Sequence, residues 1–159
     1  MNKTQIIKQI KWLTIIFMIA LIISGITAIP MAAELNLLEK YPNLFPSAFN
    51  IWIIKVHDGI VATNQAYPFI AYGTDWLAYA HVMIAILFIG VLKDPVKNKW
   101  IVTWGIINCV VIFPVAFIAG PIRGIPFFHQ MIDCLFGIFG ILLLLLIKKR
   151  IYILEKNFR

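Results

Sequence analysis

Apolar residues are gathered into four long runs along this chain, and most polar residues lie in the shorter segments between them. The runs cover residues 12–29, 76–92, 100–119 and 127–147. Each is close to the ~20 residues that an α-helix needs to cross a hydrocarbon layer of about 30 Å. Lipid offers no hydrogen-bond partner to an unpaired backbone amide, so each run is predicted to be a transmembrane helix. The pattern therefore predicts an all-α protein, a bundle of four transmembrane helices.

The outer segment, residues 30–73, is the one long piece between predicted spans. Between residues 47 and 66, apolar side chains recur at helical spacing and polar side chains occupy the rest of the wheel. Ser47 can cap such a helix. Lys55 and Asp58 argue against a fifth span, because charges inside a span are costly. We predict an amphipathic helix over residues 47–66, lying at the extracytoplasmic surface or over the mouth of the bundle.

Basic residues set the direction of the spans. The chain has 14 Lys and Arg against 7 Asp and Glu, a net charge of +7. All the basic residues except Lys40, Lys55 and Arg123 lie in the two tails and in the loop between spans two and three. Four spans place these three segments on one side, which the positive-inside rule assigns to the cytoplasm. Both termini are thus predicted to be cytoplasmic, and the charge is explained without a nucleic-acid partner.

Composition agrees with a single integral membrane domain over residues 1–159. Hydrophobic residues make up 62% and charged residues 13% of the chain, and mean hydropathy is +0.91. So large an excess cannot be hidden in the core of a small soluble domain. The first run has a competing interpretation as a signal peptide cleaved near Ala28, but it is longer than a usual signal core, so a retained span is predicted.

Two cysteines, Cys109 and Cys134, each lie inside an apolar run and form no CxxC motif. They are predicted to be reduced, buried small residues, with a disulfide between two helices left open.

Polar side chains inside the spans are concentrated in their outer halves. His81 lies about 9 Å below the outer end of span two, and Asp133 lies about 10 Å below the outer end of span four. His129 shares a helical face with Asp133. Gly137 and Gly140 lie on or near that face, where a neighbouring helix could approach closely. The full predicted site consists of His81, Arg123, His129 and Asp133, with Asp75, His57 and Asp58 at its mouth.

Four interpretations of this cluster compete. It could be an interhelical hydrogen-bond network that only holds the bundle together. It could be a zinc or other transition-metal site formed by His81, His129 and Asp133, with His57 or Asp58 completing the shell. It could hold haem between His81 and His129. It could also be a pocket for a small molecule or lipid, with Arg123 holding an anionic group.

These interpretations lead to three classes of function. The working hypothesis is a binding protein with an outward-facing polar site for a metal or small ligand. The second is an accessory or structural subunit of a larger membrane complex with no site of its own. The expected partners are the lipid bilayer and either other membrane subunits or further copies of this chain. The third is a haem protein or a membrane enzyme that uses a His–Asp pair as acid and base. HExxH, GxSxG and P-loop motifs are absent from the sequence.

Three segments carry a resemblance. Their sequences are Ala-Tyr-Gly-Thr-Asp-Trp-Leu-Ala-Tyr-Ala-His at residues 71–81, Asp-Pro-Val-Lys-Asn at 94–98, and Gly-Pro-Ile-Arg-Gly-Ile-Pro at 120–126. From about residue 70 to residue 140 the chain resembles small, uncharacterised bacterial integral membrane proteins with four helices. The resemblance implies a location in a bacterial inner membrane and implies no particular activity.

Overall fold

A computed structural model describes residues 2–158, and helices are the only regular structure within that range. The elements are α1 (Lys3–Ile26), α2 (Met31–Glu39), α3 (Ser47–Ala66), α4 (Tyr72–Leu87), α5 (Ile89–Lys93), α6 (Lys99–Ile122) and α7 (Phe127–Phe158), with short 3-10 turns at Pro42–Leu44 and Pro68–Ala71. Four segments are long and apolar enough to cross a membrane: Lys3–Ile26, Pro68–Lys93, Lys99–Ile122 and Phe127–Asn157. The prediction of an all-helical protein with four spans is confirmed.

The helices run past the apolar runs at the chain ends. α1 begins at Lys3 rather than at Trp12, because the residues between them include lysine and glutamine, which are good helix formers. α7 continues beyond the predicted end at residue 147. Ile151 and Leu154 remain buried there, so the extension keeps the packing stripe of the apolar run.

The chain divides into two compact units. We call residues 20–84 the middle unit, and the described residues before and after them the terminal unit. The terminal unit contains α5, α6, α7 and most of α1, and the middle unit contains α2, α3 and most of α4.

In the terminal unit, α6 packs closely along α7. A Cβ atom added at Gly137 would lie 2.9 Å from the backbone oxygen of Cys109, and one added at Gly140 would lie 2.6 Å from Cys109 Sγ. The predicted close approach of a neighbouring helix at these glycines is confirmed. Cys109 and Cys134 are both buried free thiols, as the sequence predicted.

The turn between α6 and α7 is a Schellman motif centred on Gly124. This glycine has φ +68°, a left-handed conformation that glycine adopts without a Cβ clash. The amide of Ile125 donates to Gly120 O (2.9 Å), and the amide of Gly124 donates to Pro121 O (3.1 Å). Gln130, only 4% exposed, donates from Nε2 to Ile125 O (2.8 Å) and so ties the start of α7 to the turn.

In the middle unit, α3 has the predicted bounds, residues 47–66. Its N-cap is Pro46, however, and the predicted Ser47 cap is wrong because Ser47 is already the first helical residue. Asn50 secures the entry to the helix, since its Nδ2 donates to Pro42 O (2.8 Å). α3 packs against α2, a short helix that the sequence analysis did not predict.

Candidate ligand site

His81 of the predicted site lies where α1 and α4 pack in the middle unit. A Cβ atom added at Gly25 would lie 2.6 Å from His81 Cβ and 3.1 Å from Ala78 O. The ring nitrogen Nδ1 is 2.8 Å from Leu77 O one turn earlier. Because a carbonyl oxygen accepts hydrogen bonds only, Nδ1 is the protonated donor in this contact. Backbone packing and a bond within α4 therefore position the imidazole.

His129 and Asp133 lie together on α7. His129 Nε2 is 3.8 Å from Asp133 Oδ1, and the two side chains are 39% and 49% exposed. That distance is too long for a hydrogen bond and fits a loose, partly exposed ion pair. Arg123, in the same unit, is exposed just after α6. The structure thus brings together His129 and Asp133, while the predicted contact of this pair with His81, which belongs to the other unit, stays a prediction.

His57 has a partner that the sequence analysis missed. Its Nδ1 lies 2.8 Å from Glu39 Oε1, with side-chain exposures of 18% and 27% respectively. Since a carboxylate accepts, Nδ1–H donates in this bond. The contact joins the end of α2 to the middle of α3, whereas Asp58 and Asp75 are exposed. His57 therefore secures α2 to α3 rather than facing a cluster shared with Asp58.

The metal interpretation finds no support in the arrangement of possible ligands. Within residues 2–158, no three His, Cys, Asp or Glu side chains are grouped so that they could hold one ion. The predicted set of His81, His129 and Asp133, with His57 or Asp58, is divided between the two units, so a metal site formed by these residues stays a prediction. The haem interpretation stays a prediction, because its two histidines belong to different units.

The middle unit has a cavity of about 640 Å³, which we call the middle cavity. Its walls come from the chain around the start of α2, one face of α3 and the segment leading into α4. The lining residues are Ala28, Ile29, Pro30, Met31, Ala32, Ala33, Trp52, Lys55, Val56, Gly59, Ile60, Thr63, Asn64, Ile70, Ala71 and Thr74. The seven predicted site residues are not among these described lining residues, so the middle cavity is a candidate site separate from the predicted one.

Helical periodicity explains the α3 wall. Trp52, Val56, Gly59 and Thr63 follow one another at steps of three or four residues, which places them on one helical face. The apolar periodicity of residues 47–66 predicted an amphipathic helix at the extracytoplasmic surface or over the mouth of the bundle. In the structure much of that face borders a space inside the middle unit, because α2 and the Pro68–Ala71 turn stand opposite it.

Small residues leave the room for the cavity. Ala32, Ala33 and Ala71 contribute short side chains to its walls. A Cβ atom added at Gly59 would meet no heavy atom within 4 Å, so the wall is open at that point. The volume lies within the ~300–1,000 Å³ typical of small-molecule sites.

Among the described residues that line the middle cavity, Lys55 is the one that carries a charge, and no carboxylate is present. Its Nζ lies 5.8 Å from the ring centroid of Trp52, within cation–π range. Asn64 and Thr63 add neutral hydrogen-bonding groups. An apolar space with one cation suits an amphipathic molecule whose polar group is an anion or a strong hydrogen-bond acceptor.

The fold defines the class: an all-helical, multi-pass membrane protein whose four candidate spans carry many large exposed apolar side chains that suit contact with lipid. Comparison of the chain with protein-family models, with curated proteins and with solved structures found no match to any of them.

Proposed function

We propose that this protein binds a small anionic amphiphile in the middle cavity, on the extracytoplasmic side of a bacterial inner membrane. The observation that carries the proposal is the cavity itself, which combines about 640 Å³ of mostly apolar space with Lys55 as its charged group. Of the four sequence-based interpretations, a pocket for a small molecule or lipid is the one that this geometry favours. Lys55 takes the anion-holding role that the sequence analysis gave to Arg123.

The predicted topology supports an extracytoplasmic location for the middle cavity. The positive-inside rule, applied to the basic tails and the basic inner loop, predicts that residues 30–73 lie outside the cytoplasm, and that segment provides most of the cavity walls. Because both ends of this segment continue into candidate spans, its apolar interior is close to the membrane surface. An amphiphile from the outer leaflet would reach the site without crossing bulk water.

The ligand class follows from the walls. Trp52, Val56, Ile60 and Ile70 offer an apolar surface for a hydrocarbon chain, and Lys55 offers one positive charge. A carboxylate on a single acyl chain satisfies both features. We therefore take a long-chain fatty acid as the test ligand for this class.

Quenching of Trp52 by 9,10-dibromostearate tests the proposal in detergent micelles. The bromine atoms of a bound molecule would come close to Trp52, so the unmodified protein should show a saturable quenching component. The Trp52→Phe variant should lose that component and keep only the linear quenching caused by partition into the micelle. No saturable component in the unmodified protein would contradict the proposal.

Filling the cavity gives the sharper comparison. Gly59→Leu places a side chain into the open wall, whereas Gly73→Leu places one where the added Cβ also meets no atom within 4 Å but lies outside the cavity lining. Saturable quenching should disappear in Gly59→Leu and persist in Gly73→Leu. Equal binding by both variants would show that the ligand lies elsewhere.

The anion preference is tested by Lys55→Gln. The unmodified protein should bind dibromostearate about tenfold more tightly than its methyl ester, because a charged hydrogen bond contributes roughly 1.5–3 kcal/mol. Lys55→Gln should bind the two about equally. A preference that survives the substitution would remove Lys55 from the site.

A further inference from the structure

A second cavity lies in the terminal unit, between the first half of α1 and the second half of α7. Its volume is about 630 Å³. We call it the terminal cavity; its lining is Gln5, Lys8, Gln9, Trp12, Leu13, Leu146 and Arg150. We propose that it binds one anionic glycerophospholipid whose headgroup carries a hydroxyl group, as phosphatidylglycerol does. The proposal is independent of the ligand in the middle cavity.

Both walls change from polar to apolar in the same direction. On α1, Gln9 is followed one turn later by Leu13, and on α7, Arg150 is preceded one turn earlier by Leu146. Each leucine therefore lies about 6 Å further from the chain end than its polar neighbour. A phospholipid has the same order along its length, with a charged phosphate first and hydrocarbon below it. Trp12 adds an amphipathic ring of the kind that is enriched at headgroup level.

The charge of the terminal cavity suits a phosphodiester. Lys8 and Arg150 provide two positive charges, and no Asp or Glu belongs to the described lining. A third cavity in the same unit differs, because its lining includes the carboxylate of Glu155, whose Oε1 lies 2.9 Å from Lys99 Nζ. Charge-assisted bonds from two cations to one phosphate explain why an anionic lipid would occupy the first of these cavities.

Gln9 specifies the headgroup further. Its Oε1 is buried and has no hydrogen-bond partner among residues 2–158. A buried acceptor without a donor is unfavourable, and such groups in proteins normally have a hydrogen-bond partner, either a protein group or an ordered molecule such as water. A hydroxyl group of a glycerol headgroup would donate to Gln9 Oε1 while the phosphate contacts Lys8 and Arg150. A choline headgroup has no such donor.

Native mass spectrometry of the full chain in detergent, titrated with lipids of matched acyl chains, measures this selectivity. Dioleoylphosphatidylglycerol should bind with one tight site, about tenfold more tightly than dioleoylphosphatidylcholine. It should also bind about threefold more tightly than dioleoylphosphatidylmethanol, which has the same charge but no headgroup hydroxyl. Equal affinity for the glycerol and choline lipids would overturn the proposal.

Charge-matched variants distinguish a specific lipid site from non-specific electrostatic attraction between a basic surface and anionic lipid. The double variant Lys8→Gln, Arg150→Gln should lose about tenfold in affinity for phosphatidylglycerol. The control Lys11→Gln, Lys149→Gln removes the same charge from neighbouring exposed residues outside the lining and should change affinity less than twofold. Equal losses would overturn the proposal. Lys8→Gln alone, at an exposed position, gives the same comparison against Lys11→Gln if the double variant does not fold.

Gln9→Leu tests the hydroxyl contact. This variant should bind phosphatidylglycerol and phosphatidylmethanol equally, and a preference that remains would remove Gln9 from the site.

Competition by inorganic phosphate tests whether the cavity recognises a lipid or a free anion. If 10 mM phosphate displaces the lipid from the unmodified protein, the cavity recognises a free anion and the lipid assignment is wrong; retention of the lipid supports it.

Discussion

At the α6–α7 contact, glycines are where two helices touch, whereas in the wall of the middle cavity a glycine faces open space. Cβ atoms added at Gly137 and Gly140 would lie 2.9 Å and 2.6 Å from atoms of Cys109. A Cβ atom added at Gly59 would meet nothing within 4 Å. The same absence of a side chain therefore produces close packing in one region and a binding volume in the other.

The difference has a physical cause. Helices in a membrane gain little from apolar burial against each other, because lipid tails are equally apolar, so close van der Waals contact at small residues stabilises their association. In the middle unit, α2 contains no glycine and the one glycine of α3, Gly59, faces open space, so these helices pack through side chains, with a contact from His57 to Glu39 between them. Helices joined in that way can leave space beside them.

The largest effect should come from Gly137→Ala. The added Cβ would lie 2.9 Å from a backbone oxygen and 3.1 Å from Phe113 Cε2, so α6 itself would have to shift. We expect the free energy of unfolding to fall by about 2–3 kcal/mol, the upper range for overpacking. Denaturant titration in micelles measures it. A loss under about 0.5 kcal/mol would mean that α6 and α7 are not in contact there.

Gly140→Ala should lower the free energy of unfolding by somewhat less, about 1–2 kcal/mol. Its added Cβ would lie 2.6 Å from Cys109 Sγ, which is the end of a side chain and can rotate away. Cys109→Ala removes that atom, so the double variant should recover about 1 kcal/mol relative to additivity in a mutant cycle. Strictly additive losses would show that the sulfur is not the obstacle.

Glu39→Gln tests how α2 is held. The change weakens the bond from His57 Nδ1 to Glu39 Oε1, and we expect a loss of about 1 kcal/mol in stability. Because α2 forms one wall of the middle cavity, affinity for dibromostearate should also fall. Asp58→Asn, on the exposed face of α3, is the matched control and should change neither quantity. Equal effects of the two variants would contradict the assigned role of Glu39.

The smallest expected effect is a rise in the free energy of unfolding. Gly59→Ala replaces a helical glycine where the added methyl group meets no atom, so stability should rise by up to about 1 kcal/mol. Gly73→Ala, near the start of α4, should give a smaller gain for the same reason. Thermal unfolding with and without dibromostearate measures both. Destabilisation by Gly59→Ala would mean that the wall of the middle cavity is closed at this point.

Much of the helical structure could be predicted from local pattern. The four spans and the bounds of α3 followed from run length and periodicity, both of which are properties of contiguous residues. α2 was missed because its nine residues are too few for a clear periodic signal. The contact that holds it, from His57 to Glu39, joins positions that are distant along the chain. The end of α7 was missed because the basic residues at 148–150 interrupt hydropathy without interrupting the helix.

The candidate site was harder to predict. Depth along a span can be counted from sequence, but rotation about the helix axis cannot. His129 and Asp133 were placed correctly relative to each other because they share one helix, and a spacing of four fixes their face. The partner of His57 lies on another helix, and no local pattern identifies it. The two cavities likewise depend on residues that are far apart along the chain.

The sequence by itself determined that this is a four-span, all-helical membrane protein, because the cost of exposing each apolar run to water and of leaving backbone groups unpaired in lipid depends on the run alone. Only the tertiary structure decided where the chain leaves space. A cavity exists where small residues from several elements meet without filling the volume between them, and that outcome depends on packing rather than on any one segment.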